Sequence, residues 1–263
     1  VSPVTRLSEG PPHPFPEDWY DLSDPTHFWF RWRLAALLAA LADARIPLQA
    51  PLRVLEVGCG SGVLADQLER HTAWNVDGAD LSMAALERCA PRRGEALYYD
   101  VTEERAELLG RYDVVVLFDV LEHLSAPREF LRSALAHLRP GGLLLVNVPA
   151  LPALDSAYDR AAGHLRRYTR RTLATALDGL GLRMLSLRYW GLTLVPLLAA
   201  RKVLLGRGGP DVIRRGFRPP HRAVNAALVG LMHLETRLLR APWLGTSVLY
   251  AGTSRTGAPS QAR

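Results

Sequence analysis

The stretch VLEVGCGSG, residues 54–62, sets an apolar run against an acid and then a turn with glycine at 58, 60 and 62. A strand that ends in a glycine-rich turn and runs on into a helix is a ligand-binding feature of open α/β sheets. The spacing narrows the ligand. A dinucleotide turn reads G-x-G-x-x-G or A, whereas here the last position falls on Val63 and the third glycine comes one residue early. Glu56 points the same way: a carboxylate two residues before the turn repels a diphosphate and attracts a cation. In a partly desolvated pocket such a charge-assisted contact contributes about 1–3 kcal/mol.

Outward from the turn, strands and helices alternate. Strand patterns fall at LRVLEV (52–57), WNVDGAD (74–80), EALYYD (95–100), YDVVVLFD (112–119), LLLVNVP (143–149), LRMLSLRYW (182–190) and TSVLYAGTS (246–254). Between them lie helices from Gly62 to His71, from the N-cap Ser82 to Cys89, from Ser125 to Arg139, where Pro140-Gly141-Gly142 stops it, and from Arg170 to Asp178 behind the cap Thr169. This order predicts an α/β fold: a seven-stranded, mostly parallel sheet with helices on both faces and the last two strands antiparallel.

Around that core, 48–190, the chain divides by composition. Residues 1–18 are proline-rich and expected to be loose. Residues 19–47 gather Trp19, Tyr20, Phe28, Trp29, Phe30 and Trp32 before the helical LAALLAALADA (34–44), an aromatic lid helix. Residues 191–245 form a helical insert: GLTLVPLLAA (191–200), expected to break at Pro196, then a basic Gly/Pro-rich stretch and a helix from Ala223 to Arg240. Residues 246–263 hold the last strand and a loose end.

The formal charge of +6 rests almost wholly on arginine, Lys202 being the only lysine. It admits an anionic substrate, a membrane surface or a nucleic acid. The arginines are scattered and form no recognisable nucleic-acid module, so no nucleic-acid partner is expected. Two cysteines, Cys59 and Cys89, suggest no disulfide framework. With no secretory leader read at the start and no apolar run of the roughly 18 residues a membrane span needs, the expected location is cytoplasmic.

Two further acids stand at strand ends. Asp80 lies twenty residues after Gly60, where a carboxylate accepts both ribose hydroxyls of an adenosine, and Asp100 can accept from an adenine amino group. With these in place, VLEVGCGSG, VDGADLS, YYDVT, FDVLEHL and LRPGGLLLVNVP, in that order, resemble the class I S-adenosylmethionine-dependent methyltransferases. The resemblance covers roughly residues 50–190. It implies a Rossmann-like sheet and S-adenosylmethionine as cofactor. Gly58, Cys59, Gly60 and Gly62 would line its methionine end, Glu56 would anchor its cationic part and Asp80, beside Leu81, its ribose. Asp100 and Val101 would flank adenine, and Phe118 and Asp119 the sulfonium. The family more often has Asp at the place of Glu56, a change of reach and not of charge.

Methyl transfer to a hydroxyl needs a base, and His123 of FDVLEHL and His164 of GHLRRYTRRTL are the catalytic candidates. The second segment resembles the substrate-side loop of methyltransferases of the ubiquinone-biosynthesis and small-RNA-methylating types, in which E-x-x-E-H and a later His bind a divalent metal. Here the motif reads Asp119-x-x-Glu122-His123 with His164 later. The reading adopted assigns no metal and keeps these four residues as the alternative ligand set. Trp29, Arg167 and Tyr168 are assigned to the acceptor pocket. A pocket walled by the aromatic segment and the insert suits a lipophilic or aromatic small molecule, methylated at oxygen. N- or C-methylation, a nicotinamide oxidoreductase, a non-catalytic cofactor-binding protein, and peripheral membrane contact through 191–222 stand as alternatives.

Overall fold

Tyr112–Phe118 is apolar on both of its alternating faces, so it is stable only with a packed layer on each side. The computed structural model, which describes residues 3–10, 20, 22–89, 93–206, 208–209, 211–218 and 220–255, places it at the centre of one sheet. Among the described residues the sheet has eight strands: β1 (Thr5–Arg6), β2 (Arg53–Val57), β3 (Asn75–Asp80), β4 (Ala96–Tyr98), β5 (Tyr112–Phe118), β6 (Leu138–Pro149), β7 (Leu182–Trp190) and β8 (Ser247–Ser254). Their order is β1-β4-β3-β2-β5-β6-β8-β7. Pairs from β1 to β6 are parallel, and β8 runs antiparallel to both β6 and β7.

The count is eight and not the expected seven. The extra strand, β1, comes from the stretch expected to be loose. It pairs Thr5 with Leu97 and Arg6 with Tyr98, and the N–H groups of Leu7 and Ser8 donate to the Tyr98 carbonyl. Two residues are too few to show a period; the pairing comes from the open edge of β4, which β1 covers.

Side chains alternate between two cores. Leu55, Val57, Val115 and Leu117 point to one face, under α4 (Pro127–Ala136) and α6 (Arg170–Leu177). Val54, Val114, Val116 and Leu145 point to the other, where α1 (Phe28–Asp43), α2 (Val63–His71) and α9 (Arg222–Leu238) pack. The predicted lid helix is thus largely a core layer: Trp32, Leu37 and Leu41 of α1 are fully buried, and only its first turns reach the site. Trp19 lies outside the described residues. Ser82 caps the short α3 (Met83–Leu86) by accepting from the N–H of Ala85.

Pro196 does not break the insert. It sits in the first turn of α7 (Val195–Leu205), where a missing N–H costs nothing. After α7 comes α8 (Val212–Phe217). Glu235 of α9, buried, fastens the root of the insert. Its carboxylate accepts from the N–H groups of Gly191 (2.8 Å), Leu192 (3.0 Å) and Thr193 (2.8 Å), and from Thr193 Oγ1 (2.7 Å). The sheet's order reverses between β2 and β5, and the crevice beyond their carboxyl ends is the expected ligand site.

Candidate active site

The turn after β2 is built on left-handed backbone, with φ of +72° at Gly58, +53° at Gly60 and +73° at Gly62. A Cβ on Gly58 would lie 2.6 Å from Val120 Cγ2, and one on Gly62 would meet the Cys89 sulfur. Gly62 therefore caps α2 and packs on Cys89; unlike Gly58, Cys59 and Gly60, it does not line the cavity. Asp80 fixes the turn from the end of β3. Its Oδ2 accepts from the Gly60 N–H and its Oδ1 from the Ser82 N–H, both at 2.8 Å.

Glu56 is 3% exposed, and its Oε2 has no hydrogen-bond partner among the described residues. Burial pushes its pKa up to about 8, against the nearby charge of Arg33 and the N–H of Ala65, with Asp80 adding to the rise. Arg33, from α1, was not foreseen. Its guanidinium packs 4.8 Å from the Trp29 ring centroid and 5.2 Å from that of Phe30, and Nη1 donates to Asp119 Oδ2 at 2.7 Å. Asp119, just beyond β5, holds a left-handed φ of +60°, which is costly for a residue with a Cβ. Its Oδ1 accepts from Asn147 Nδ2, whose own Oδ1 accepts from Trp190 Nε1, each at 2.8 Å.

These groups enclose a cavity of about 210 Å³. It runs from Asp80, Leu81, Asp100 and Val101 past Glu56, Arg33 and Phe118 to Asp119, His123 and His164. A second cavity of about 610 Å³ shares Asp119 and His164 with the first. Trp29, Glu122, Arg167, Arg201 and Phe217 line it, along with Leu197, Leu198 and Leu205 of α7 and Val224 and Leu228 of α9. Tyr168 lines neither. It is buried in the core with its hydroxyl donating to the Leu121 carbonyl, because the chain after His164 turns down against β6.

The two histidines meet, with ring centroids 4.8 Å apart and planes at 82°; His164 lines both cavities and His123 the smaller. His164 Nδ1 lies 3.1 Å from Oδ1 of Asp159, a fully buried residue of α5 (Ala157–Ala161). Asp159 also accepts from Ser156 N–H and Oγ and from Arg167 Nε. Burial alone would raise its pKa; the bonds to His164 and Ser156 and the charge of Arg167 outweigh that and hold it well below the usual range. Arg167 is thereby committed to an ion pair, and it also donates to the Ala150 carbonyl. Glu122 is fully buried, and neither carboxyl oxygen has a hydrogen-bond partner on another described residue. Burial and the charge of Asp119 push its pKa well up. One donor atom each of Glu122, His123 and His164 lie within 4.8 Å of one another; Asp119 is not in this cluster, being held by Arg33 and Asn147.

Three of the unforeseen residues differ in how visible they were. Arg33 sits four residues from both Trp29 and Leu37, on a helix face otherwise apolar, and that placement is a signal. Ser156-x-x-Asp159 is a readable capping box. Asn147 carries none, lying inside a strand pattern.

A doubly wound sheet, a glycine turn with an acid before it, and acids at the next two strand ends define an α/β nucleoside-cofactor protein. The profile of the methyltransferase domain matches residues 27–187, and the chain belongs to that family, as a class I S-adenosylmethionine-dependent methyltransferase. A ubiquinone biosynthesis O-methyltransferase from Caulobacter sp. (strain K31) is 37% identical over 109 residues, which are 40% of this chain and 43% of that protein. The chain thus spans less than half the length of that relative. The S-adenosylmethionine-dependent methyltransferase from Mesorhizobium loti superposes with a TM-score of 0.54 at 17% identity, over 83% of this chain and 97% of that one. The [4+2]-cyclase SpnF superposes with a TM-score of 0.54 at 20% identity, over 84% and 82%. Both structural likenesses concern the fold.

Proposed function

We propose that this protein moves a methyl group from S-adenosylmethionine to an oxygen of an apolar small molecule. The observation that carries the reading is a pair of neighbouring cavities that share Asp119 and His164, the smaller lined by the glycine turn and the strand-end acids, the larger by the aromatic first turns of α1 and the aliphatic side chains of the insert. The residues present fit the cofactor. The unpartnered Glu56 oxygen suits its ammonium, and Arg33, the arginine among the described lining residues, suits its carboxylate. Asp80 would hold the ribose, and Asp100 with Val101 the adenine. When bound, the cofactor supplies a methyl group already activated on a positively charged sulfur.

The chain's own task is then to place an acceptor oxygen beside Asp119 and His164, exclude water and take up a proton. Asp159, accepting from Nδ1, fixes the tautomer that leaves the lone pair on His164 Nε2, and a base so oriented contributes about 100- to 10,000-fold. His164 rather than His123 is therefore the proposed base, with His123 beside it.

Calorimetry with S-adenosylmethionine and with NAD, followed by labelled methyl transfer to a panel of lipophilic phenols, amines and carbon acids, tests this. Binding of NAD alone overturns the class of ligand. Cofactor binding without transfer to any acceptor favours a non-catalytic protein.

A second reading rests on the two unpartnered oxygens of Glu122. One carboxylate and two imidazoles are a ligand set for zinc or another first-row divalent ion. There Glu122, His123 and His164 would hold the ion, which would supply Lewis-acid activation of the acceptor oxygen. Full turnover in excess EDTA retires that reading.

A further inference from the structure

Nine of the twelve large apolar side chains that stand exposed among the described residues lie between 195 and 243, in the insert. They are ordered. On α7, Leu197 and Leu204 are seven residues apart. On α9, Val224, Leu231 and Leu238 recur every seven residues with Leu234 between them, so they form one stripe. This stripe is not the face that packs: α9 turns Val229 and Met232 inward instead.

The same segment holds the chain's charge. Residues 191–245 carry nine Lys and Arg against two acids, a formal +7 where the whole chain has +6, so the remainder is net −1. Leu197, Leu204 and Val224, all exposed, also line the 610 Å³ cavity, so the cavity borders the exposed apolar side chains. Among the described residues no helix is long and apolar enough to cross a membrane.

We propose that the exposed face of α7 and α9 docks on an anionic bilayer, with the larger cavity bordering the docked face. Aliphatic side chains enter the headgroup boundary while exposed arginines of the insert, Arg214, Arg215, Arg218 and Arg237, meet anionic lipid. A second copy of the chain fits this face less well, since a symmetric pairing sets +7 against +7. A nucleic acid fits less well too, because eight of those nine exposed side chains are aliphatic and only Trp243 offers a base a stacking surface. The docking itself does not depend on the proposed methyl transfer; only the identity of what enters the cavity does.

The test is flotation of the purified chain with vesicles of phosphatidylcholine alone and of phosphatidylcholine mixed with phosphatidylglycerol. The protein floats with the anionic vesicles and not the neutral ones, and high salt releases it. The double variant Leu234→Asp, Leu238→Asp lowers the bound fraction by at least about tenfold while circular dichroism and S-adenosylmethionine binding stay unchanged. Should that variant fail to fold, Arg218→Glu with Arg237→Glu, both exposed, is expected to abolish the preference for anionic vesicles. Absence of flotation, equal flotation with both vesicle types, or a dimer that the Leu234 and Leu238 substitutions dissociate overturns the proposal. No readout requires turnover, so failure here and failure of the proposed activity are told apart.

Discussion

Replacing Glu56 by Gln is expected to move stability and cofactor affinity in opposite directions. Glu56 keeps its proton in the folded chain up to about pH 8, whereas an ordinary glutamate loses it near 4.5. Below about 4.5 both folded and unfolded chains are protonated and the site costs nothing. As pH rises through the window from 4.5 to 8, the unfolded chain releases a proton that the folded chain retains, so folding stability falls by about 1.4 kcal/mol per pH unit. At pH 7 the loss amounts to about 3 kcal/mol. Gln is close in shape to the neutral acid and does not titrate, so Glu56→Gln should stabilise the ligand-free protein by about that amount, or roughly 5–10 °C in Tm for a chain of this size. The gain should shrink towards pH 5. S-adenosylmethionine affinity should drop by about 1–3 kcal/mol, through loss of the charge that faces the ammonium. Wild-type binding at pH 7 should release a proton, visible as a buffer-dependent heat in calorimetry, and the variant should not. A variant that melts no higher than wild type at pH 8 and binds the cofactor equally well would refute the argument.

Asp159→Asn should leave cofactor binding intact and lower kcat by about 100-fold or more, since His164 loses the carboxylate that orients it; rapid-quench turnover checks this. Asp80→Ala should weaken cofactor binding by about 1–3 kcal/mol in calorimetry, because the Gly60 and Ser82 N–H groups lose their acceptor along with any ribose contact. Glu235→Ala leaves three N–H groups and a hydroxyl at the root of the insert without their acceptor; unfolding by urea should show a loss of about 3 kcal/mol with an unchanged core spectrum.

The parallel core was legible because period and punctuation agree there: β2, β3, β5 and β7 carry strand patterns between glycine turns and capped helices. The glycine turn was legible for a physical reason as well, since left-handed backbone at 58, 60 and 62 leaves few alternatives to glycine. What the pattern did not carry was long-range pairing. The strand at Thr5–Arg6 exists because β4 has an open edge, and Pro196 starts a helix because the preceding residues already turn. In the site, acids at strand ends were foreseen because their place follows from the sheet. Arg33, Asn147 and Asp159 reach it from α1, β6 and α5, and their roles depend on which partner the fold brings opposite them. Tyr168, read as an acceptor contact from its neighbours in sequence, points the other way by one residue's alternation.

The carboxylate of Glu235 also bears on how such a protein acquires new acceptors. It staples the first residues after β7 to the far helix, so the segment between Thr193 and His221 leaves and returns at fixed points. That segment supplies much of the wall around the larger cavity and neither of the residues, Asp119 and His164, that the two cavities share. A change of length or lining between these two points is expected to alter the larger cavity while the sheet and the smaller cavity keep their own contacts.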